Sequence, residues 1–335
     1  LDHHTHAPLA EFSVHSESFE SVSNLFAAHG KDFKPPRVFM LPDWIRIWWK
    51  TFGEGYEPLL LSVKDKERVL GLALLKQKGG TVSFMGSADI CDYFDFIVAE
   101  GREAGFFSAL LGYLVSARVK MIDLRCLRPE STAREFLIPL AKKQGFAVEQ
   151  EPDGVSFEVD LPKTREDYLL LLNSKQRHEL RRKFRRLYDA GDVRFEVHGD
   201  LQHQTDKVDL FFSLFKQSRP DKEEFMTPRM ESFFRDMLSV MSAIHILKMG
   251  VLLLNDQVVA IVLFFDHLSR YDLYNNGYNP AFNSLSIGLL AKAMAIEHAI
   301  DEKKKTFDFL KGEEIYKSRL GGRKVEISRW KIHLE

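Results

Sequence analysis

Residues 174–191 read SKQRHELRRKFRRLYDAG, and seven of the first thirteen are Lys or Arg. Only Glu179 among those thirteen is acidic, in a chain whose 47 basic and 48 acidic residues almost cancel. Guanidinium groups at this density do one kind of chemistry well: a planar fork of donors grips phosphate or carboxylate oxygens in pairs. Ser174 is a candidate N-cap and Gly191 a stop, so the spacing predicts a helix. On it Leu180, Phe184, Leu187 and Tyr188 form one apolar stripe. Arg177, Arg181 and Arg185 line an edge of that stripe, and Lys175, Arg182, Lys183 and Arg186 fill the remaining face. Three uses compete. A solvated face normally mixes its signs for i,i+4 pairing, and this one scarcely does. A groove for RNA such as tRNA would interleave aromatic residues, which are absent beyond the stripe. The third use is a site for an anionic donor or acceptor: a phosphorylated sugar, a lipid- or nucleotide-linked intermediate, or headgroups at a membrane surface.

Other chemistries leave less trace. His3, His4 and His6 lack the fixed spacing on ordered elements that a metal site needs, and they read as a disordered tail, with no metal expected. There is no Gly-x-Ser-x-Gly elbow, His-Glu-x-x-His, Cys-x-x-Cys or phosphate loop ending in Gly-Lys-Ser/Thr. Cys91 and Cys126 make no disulfide framework, which fits a reducing, cytoplasmic setting. No secretory signal is read at the start. The longest apolar runs, such as VVAIVLFF (258–265), are strand-sized and too short to span a bilayer. With 45% hydrophobic residues the chain can fill one large core or two ordinary ones.

The elements that must position any site occur twice. EPLLLSV (57–63) and RVLGLALL (68–75) flank the charged turn KDKE, a hairpin pattern. TVSFMG (81–86), YFDFIVA (93–99), the helical FFSALLGYLVSARV (106–119) and the strand MIDLRCL (121–127) follow. Later, IHILKMGVLLL (244–254) turns through NDQ into VVAIVLFF, followed by YDLYNNGY (271–278), the helical SIGLLAKAMAIEHAI (286–300) and TFDFLKG (306–312). Val69 and Val258 are 189 apart (258 − 69), Asp123 and Asp308 185 apart (308 − 123). An offset this constant reads as a duplication. The expected class is α+β, two tandem units of largely antiparallel sheet with packed helices. The expected boundaries are an N-terminal, partly flexible segment 1–34, a first domain 35–155 and a second domain 156–335. An all-helical, basic insert is expected at 165–240.

Hairpin, strand, helix and strand in this order resemble the core of GNAT acyltransferases. With YNNGYNP (274–280), SKQRHELRRKFRRL and above all FDFLKGEEIYKSRLGG (307–322), the chain resembles the acetyltransferases assigned to cellulose or exopolysaccharide biosynthesis. Those in turn are similar to the tandem-fold Fem-type peptidoglycan aminoacyltransferases. The likeness runs from about residue 35 to the end, and its most specific piece is Gly312 to Arg319.

The resemblance implies acyl transfer from acetyl-CoA or another acyl-CoA to an amine or hydroxyl of a sugar-like, envelope- or exopolysaccharide-related acceptor. It implies donor contacts at Asn276, Gly277, Ser286, Ile287, Gly288 and Leu289. Asp308, Glu313 and Glu314 become candidate bases and Tyr316 a candidate acid. Arg177, Arg181, Lys317 and Arg319 become candidate acceptor contacts. The Gln/Arg-x-x-Gly-x-Gly/Ala loop usual in this superfamily is replaced by NPAFNSLSIGLL. Only Gly288 stands where several small residues are the rule, although free N–H groups at a helix start still suit a phosphate. The matching AEGREAGFFSALL places Glu100 and Glu103 where a pyrophosphate would be repelled, so the first half is expected to be structural or acceptor-binding. Two alternatives stay open: an aminoacyltransferase using charged tRNA, and a binding protein that has lost its donor loop.

Overall fold

Asn255 and Asp256 both adopt left-handed φ, 49° and 61°, as a two-residue hairpin turn of this hand requires. That turn joins two of the thirteen strands found among the described residues, which in the computed structural model are 12–201 and 204–335. His3, His4 and His6 lie outside the described residues. In chain order the first part holds β1 (Phe12–Ser16), α1 (Phe19–His29), α2 (Pro42–Phe52), β2 (Glu57–Asp65), β3 (Arg68–Lys78), β4 (Thr81–Phe84) and β5 (Ile97–Val98). Then come α3 (Glu103–Ser116), β6 (Met121–Leu127), α4 (Ile138–Lys143) and the long β7 (Ala147–Asp160). The middle holds α5 (Arg165–Leu171), α6 (Ser174–Asp189), β8 (Val193–His198), α7 (Thr205–Ser218), α8 (Pro220–Phe225) and α9 (Pro228–Ala243). The last part holds β9 (Leu247–Leu254), β10 (Gln257–His267), β11 (Arg270–Tyr278), α10 (Ile287–Asp301), β12 (Thr306–Lys311), α11 (Ile315–Arg319) and β13 (Arg323–His333).

The architecture is α+β and divides into two compact units. Residues up to Asp153 together with Ile327–Glu335 form the first, and Gly154–Glu326 the second. In the first unit the strand order is β1-β2-β3-β4-β6-β13, with Ser328–His333 of β13 antiparallel to β6. In the second it is β7-β12-β11-β10-β9-β8, with Ser156–Asp160 of β7 antiparallel to β12. Within each unit, β4 runs parallel to β6 over Thr81–Ser83 and Met121–Asp123, and β11 parallel to β12 over Arg270–Asp272 and Thr306–Asp308. The duplication read from residue offsets is thus repeated in the pairing pattern.

Three local readings are corrected. The insert is not all helical: VRFEVH, bracketed by Gly191-Asp192 and Gly199-Asp200, pairs with β9 as β8. The cap of α6 is Asn173 rather than Ser174. Its side chain accepts from Gln176 N while the Gln176 side chain accepts from Asn173 N, a reciprocal capping box. In YFDFIVA only Ile97–Val98 pairs as strand, because Asp95 turns its carboxylate to the N–H groups of Thr132 and Ala133 and the Thr132 hydroxyl.

The core of the second unit lies under α10, which packs on β9, β10 and β11. Leu290, Ala291, Ala295 and Ile296 meet Phe264, Tyr271, Phe307 and Phe309 there, all buried. Each large apolar side chain so buried contributes about 1.5–3 kcal/mol. This packing fixes where α10 begins relative to the strands.

Candidate functional site

β11 continues to Tyr278 and β12 to Lys311, yet the two pair over only three residues each. Beyond Asp272 and Asp308 they part. A register shift against β10 leaves Tyr274 as an extra, bulged residue, which bends β11 at the point of divergence. The result is a wedge between splayed strands, where backbone carbonyls lose their ladder partners and must find others.

Lysines supply those partners. Lys317, only 1% exposed, donates from Nζ to Leu310 O (3.1 Å) and Lys311 O (2.7 Å) and pairs with Glu314 at 3.0 Å. Those three contacts use all three donors of an ammonium. On the other arm, Lys222 Nζ donates to Asn276 O and lies 4.6 Å from the Phe215 ring centre. Lys292, on the inner face of α10 and 5% exposed, donates to Gly288 O at 2.8 Å and stands 4.5 Å over the Tyr316 ring. Burial, and then the neighbouring Lys222 charge, push Lys292 from 10.5 down to about 7. Burial, and then Arg219, bring Lys222 to about 8. Burial pushes Glu314 upward, but the Lys317 charge and hydrogen bond, with a backbone hydrogen bond and the Arg219 charge, together outweigh it, and its carboxyl lies below the usual range.

The segment from Gly312 to Arg319 builds one wall of this cluster. Gly312 has φ +123°, and a Cβ there would lie 2.9 Å from Lys317 Nζ, so the ion pair folds directly over the glycine. Tyr316 is half-buried with its ring 6.1 Å from Phe309. Glu313 is exposed. Asp308 is fully buried at the base of the wedge, and its Oδ1 accepts from Leu310 N at 2.8 Å, holding Leu310 at φ 60°. The bond anchors the bulge of β12. Of the candidate bases, Glu314 stands in the lysine cluster, Glu313 faces solvent and Asp308 braces backbone.

The donor candidates divide in the same way. Gly277 lies under α7: a Cβ would sit 2.7 Å from Leu214 C, so helix–strand contact demands the glycine. Asn276 offers its carbonyl to Lys222. Ser286 stands at φ 57° just before α10, and its Oγ accepts from Lys183 Nζ of α6 at 2.6 Å. Ile287 is buried and Gly288 lies against Tyr278, whose Cδ1 would be 2.8 Å from an added Cβ. Ile287 and Gly288 open the helix, where N–H groups have no intrahelical acceptor.

Beside that first turn lies a cavity of about 980 Å³ between α6, Leu289 and the Arg319–Leu320 corner. Its charged lining residues are Lys175, Lys183 and Arg319 against Glu179, beside the apolar Leu180, Leu289 and Leu320. Glu179 is engaged by Arg182 (2.8 Å) and Lys183 (3.3 Å), and the Arg182 bond holds its carboxyl down at about 2. Arg177 turns instead to Leu169 O (3.2 Å) and Leu172 O (3.3 Å), tying α6 to the end of α5. Arg181 is exposed on the outer face. Among the acceptor candidates, then, Arg319 reaches the cavity, while Arg177 and Lys317 serve as braces.

Lys222 and Lys292 were not singled out in the sequence. Lys292 did leave a signal, a lone charge inside the apolar run IGLLAKAMAI, on a helix that must bury that side. Lys222, in RPDKEEF, looks like any surface lysine; only the approach of α8 to β11 selects it.

Residues 174–318 match the family model described as an acetyltransferase (GNAT) domain. No curated protein matches the chain. Among solved structures the chain is similar to FemX, with TM-score 0.64 and 12% identity over 95% of this chain and 96% of that one. It is also similar to a conserved protein of unknown function from Bacteroides thetaiotaomicron, with TM-score 0.59 and 10% identity over 96% and 100%. L-PGS from Bacillus licheniformis gives TM-score 0.51 and 11% identity over 79% and 81%. These likenesses are of fold. Among the described residues no helix is long and apolar enough to cross a membrane, and no group of His, Cys, Asp or Glu could hold a metal ion.

Proposed function

We propose that the second unit is an acyltransferase whose reaction takes place in the wedge between β11 and β12, with the phosphates of an acyl-CoA donor, acetyl-CoA or a longer chain, held at the start of α10. The observation that carries this reading is the pair of desolvated amines, Lys292 and Lys222, beside the splayed strands of a segment matched to an acetyltransferase domain. Acyl transfer to an amine or hydroxyl requires a base for the attacking group and fixed positive charge for the oxygen that gains electrons. With burial lowering its amine to about 7, Lys292 can lose its proton near neutral pH and take one from the attacking group. Lys222, at about 8, stays mostly an ammonium and offers its charge to the carbonyl oxygen. The bond from acceptor nitrogen or oxygen to the acyl carbon forms, the carbon–sulfur bond breaks, and the sulfur leaves with a proton. The Tyr316 hydroxyl, on the ring beneath Lys292, is our candidate source of that proton.

Lys183 and the N–H groups of Ile287 and Gly288 suit a phosphate at the start of α10. An anionic, sugar-like acceptor of the envelope or exopolysaccharide kind fits the cations of the neighbouring cavity, Lys175 and Arg319. One observation favours a second donor, aminoacyl-tRNA: Lys175, Arg181, Arg182, Arg185 and Arg186 are all exposed along α6. Calorimetric titration with acetyl-CoA and longer acyl-CoAs, repeated with Lys183→Gln, tests the first reading. Saturable binding that weakens about tenfold in the variant is expected, from loss of one charge-assisted contact. No binding to any acyl-CoA, together with binding to tRNA, would replace it with the second. Substituting Gly288 would not serve, since Tyr278 packs against it.

A further inference from the structure

In the first unit β4 and β6 pair in parallel only as far as Ser83 and Asp123, and β4 ends at Phe84. A cavity of about 330 Å³ opens at this divergence, lined by Tyr56, Lys76, Ser83, Phe84, Phe94 and Arg125 among others. Its volume lies within the range of about 300–1,000 Å³ common for small-molecule sites.

Lys76 is the unusual member. The residue is 7% exposed, and among the described residues its one hydrogen-bond acceptor is the carbonyl of Gly86. Trp48 and Tyr56 put their ring centres 4.3 and 4.7 Å from its Nζ. Trp48 is itself held by donating to Ser87 Oγ at 3.2 Å. An ammonium has three donors, and a buried one with a single oxygen partner is costly until an anion completes it. The other charges of the lining are largely matched. Asp123 accepts from Arg329 Nε and a terminal nitrogen, both at 2.7 Å, and Arg125 is bound by Asp153. Lys78 and Asp89 stand exposed at the rim. Tyr56, Phe84 and Phe94 supply aromatic surface for the body of a ligand.

We infer that this cavity binds a small organic anion, a phosphate monoester or a carboxylate, with its charge on Lys76 and its apolar body against Tyr56, Phe84 and Phe94. The site is independent of the acyl-transfer reading, since it rests on the first unit alone.

The test is calorimetric titration of the full chain with phenyl phosphate and, separately, benzoate. Saturable binding of at least one is expected, and the one preferred tells phosphate from carboxylate. Lys76→Met removes the charge at nearly constant length, and Ser83→Leu fills the cavity while leaving the lysine. Each should weaken binding about tenfold or more. A thermal melt verifies that each variant is folded; if Lys76→Met is not, Ser83→Leu decides alone. No saturable binding of either probe, or binding undiminished by Ser83→Leu, overturns the inference.

Discussion

Replacing Lys292 by Met keeps an unbranched apolar stem in the same space and removes the amine. Two consequences follow from one buried nitrogen. If the amine is the base, kcat should fall about 100-fold or more, the usual contribution of a positioned base. In the wild type, kcat/KM should rise with pH through about 7 as Lys292 loses its proton, and the variant should lack that limb. Stability gives the second reading. The folded protein releases this proton at about 7 and the unfolded chain at the ordinary 10.5, so between those values the unfolded state binds one proton more. Stability therefore rises with pH across this window, by about 1.4 kcal/mol per pH step from this group, and the full burial penalty applies below it. Lys76, in the first unit, titrates in the same direction in both proteins, so the difference between the proteins reads Lys292 together with its coupling to the neighbouring Lys222. The Met variant should be the more stable at neutral pH and lose that advantage as the pH approaches about 10. Release of free thiol from acyl-CoA measures the first effect, and urea midpoints at several pH values measure the second. An undiminished rate with an unchanged profile would refute the base. A stability difference independent of pH would refute the buried amine itself.

Gly312→Ala should destabilise the fold by about 2–4 kcal/mol in urea titration, because φ +123° is strained for alanine and its methyl meets the Glu314–Lys317 pair. Gly277→Ala should lower the melting temperature by an amount equivalent to about 1–3 kcal/mol, since its methyl meets the backbone of α7. Asp95→Ala should cost about 1–3 kcal/mol in the same titration, because the N–H groups of Thr132 and Ala133 lose their acceptor.

The duplication was legible because hydrophobic alternation and turn residues are local signals, and a constant offset repeats them. The start of α10 was legible for the same reason: Gly288 ends an irregular stretch and opens an apolar, helical one. What the residues could not display is which side chains converge. Lys222 and Lys292 are 70 residues apart (292 − 222), and their charges influence one another only because Lys222 of α8 bonds to Asn276 O of β11 while α10 packs on that strand. Arg177 and Lys317 illustrate the converse. Their charges are plain in the sequence, but nothing in it tells that backbone carbonyls will consume their donors. The return of the final residues to the first unit has no repeat counterpart in the sequence to announce it.

The most direct test of the account is a single-turnover reaction with acetyl-CoA labelled in the acyl group and a panel of amino-sugar and sugar-phosphate acceptors, comparing wild type with Lys292→Met. The account predicts label transferred to an acceptor by the wild type, with the rate falling by about two orders of magnitude in the folded variant. Label that stays on the donor with every acceptor, or moves equally fast in both proteins, would contradict it.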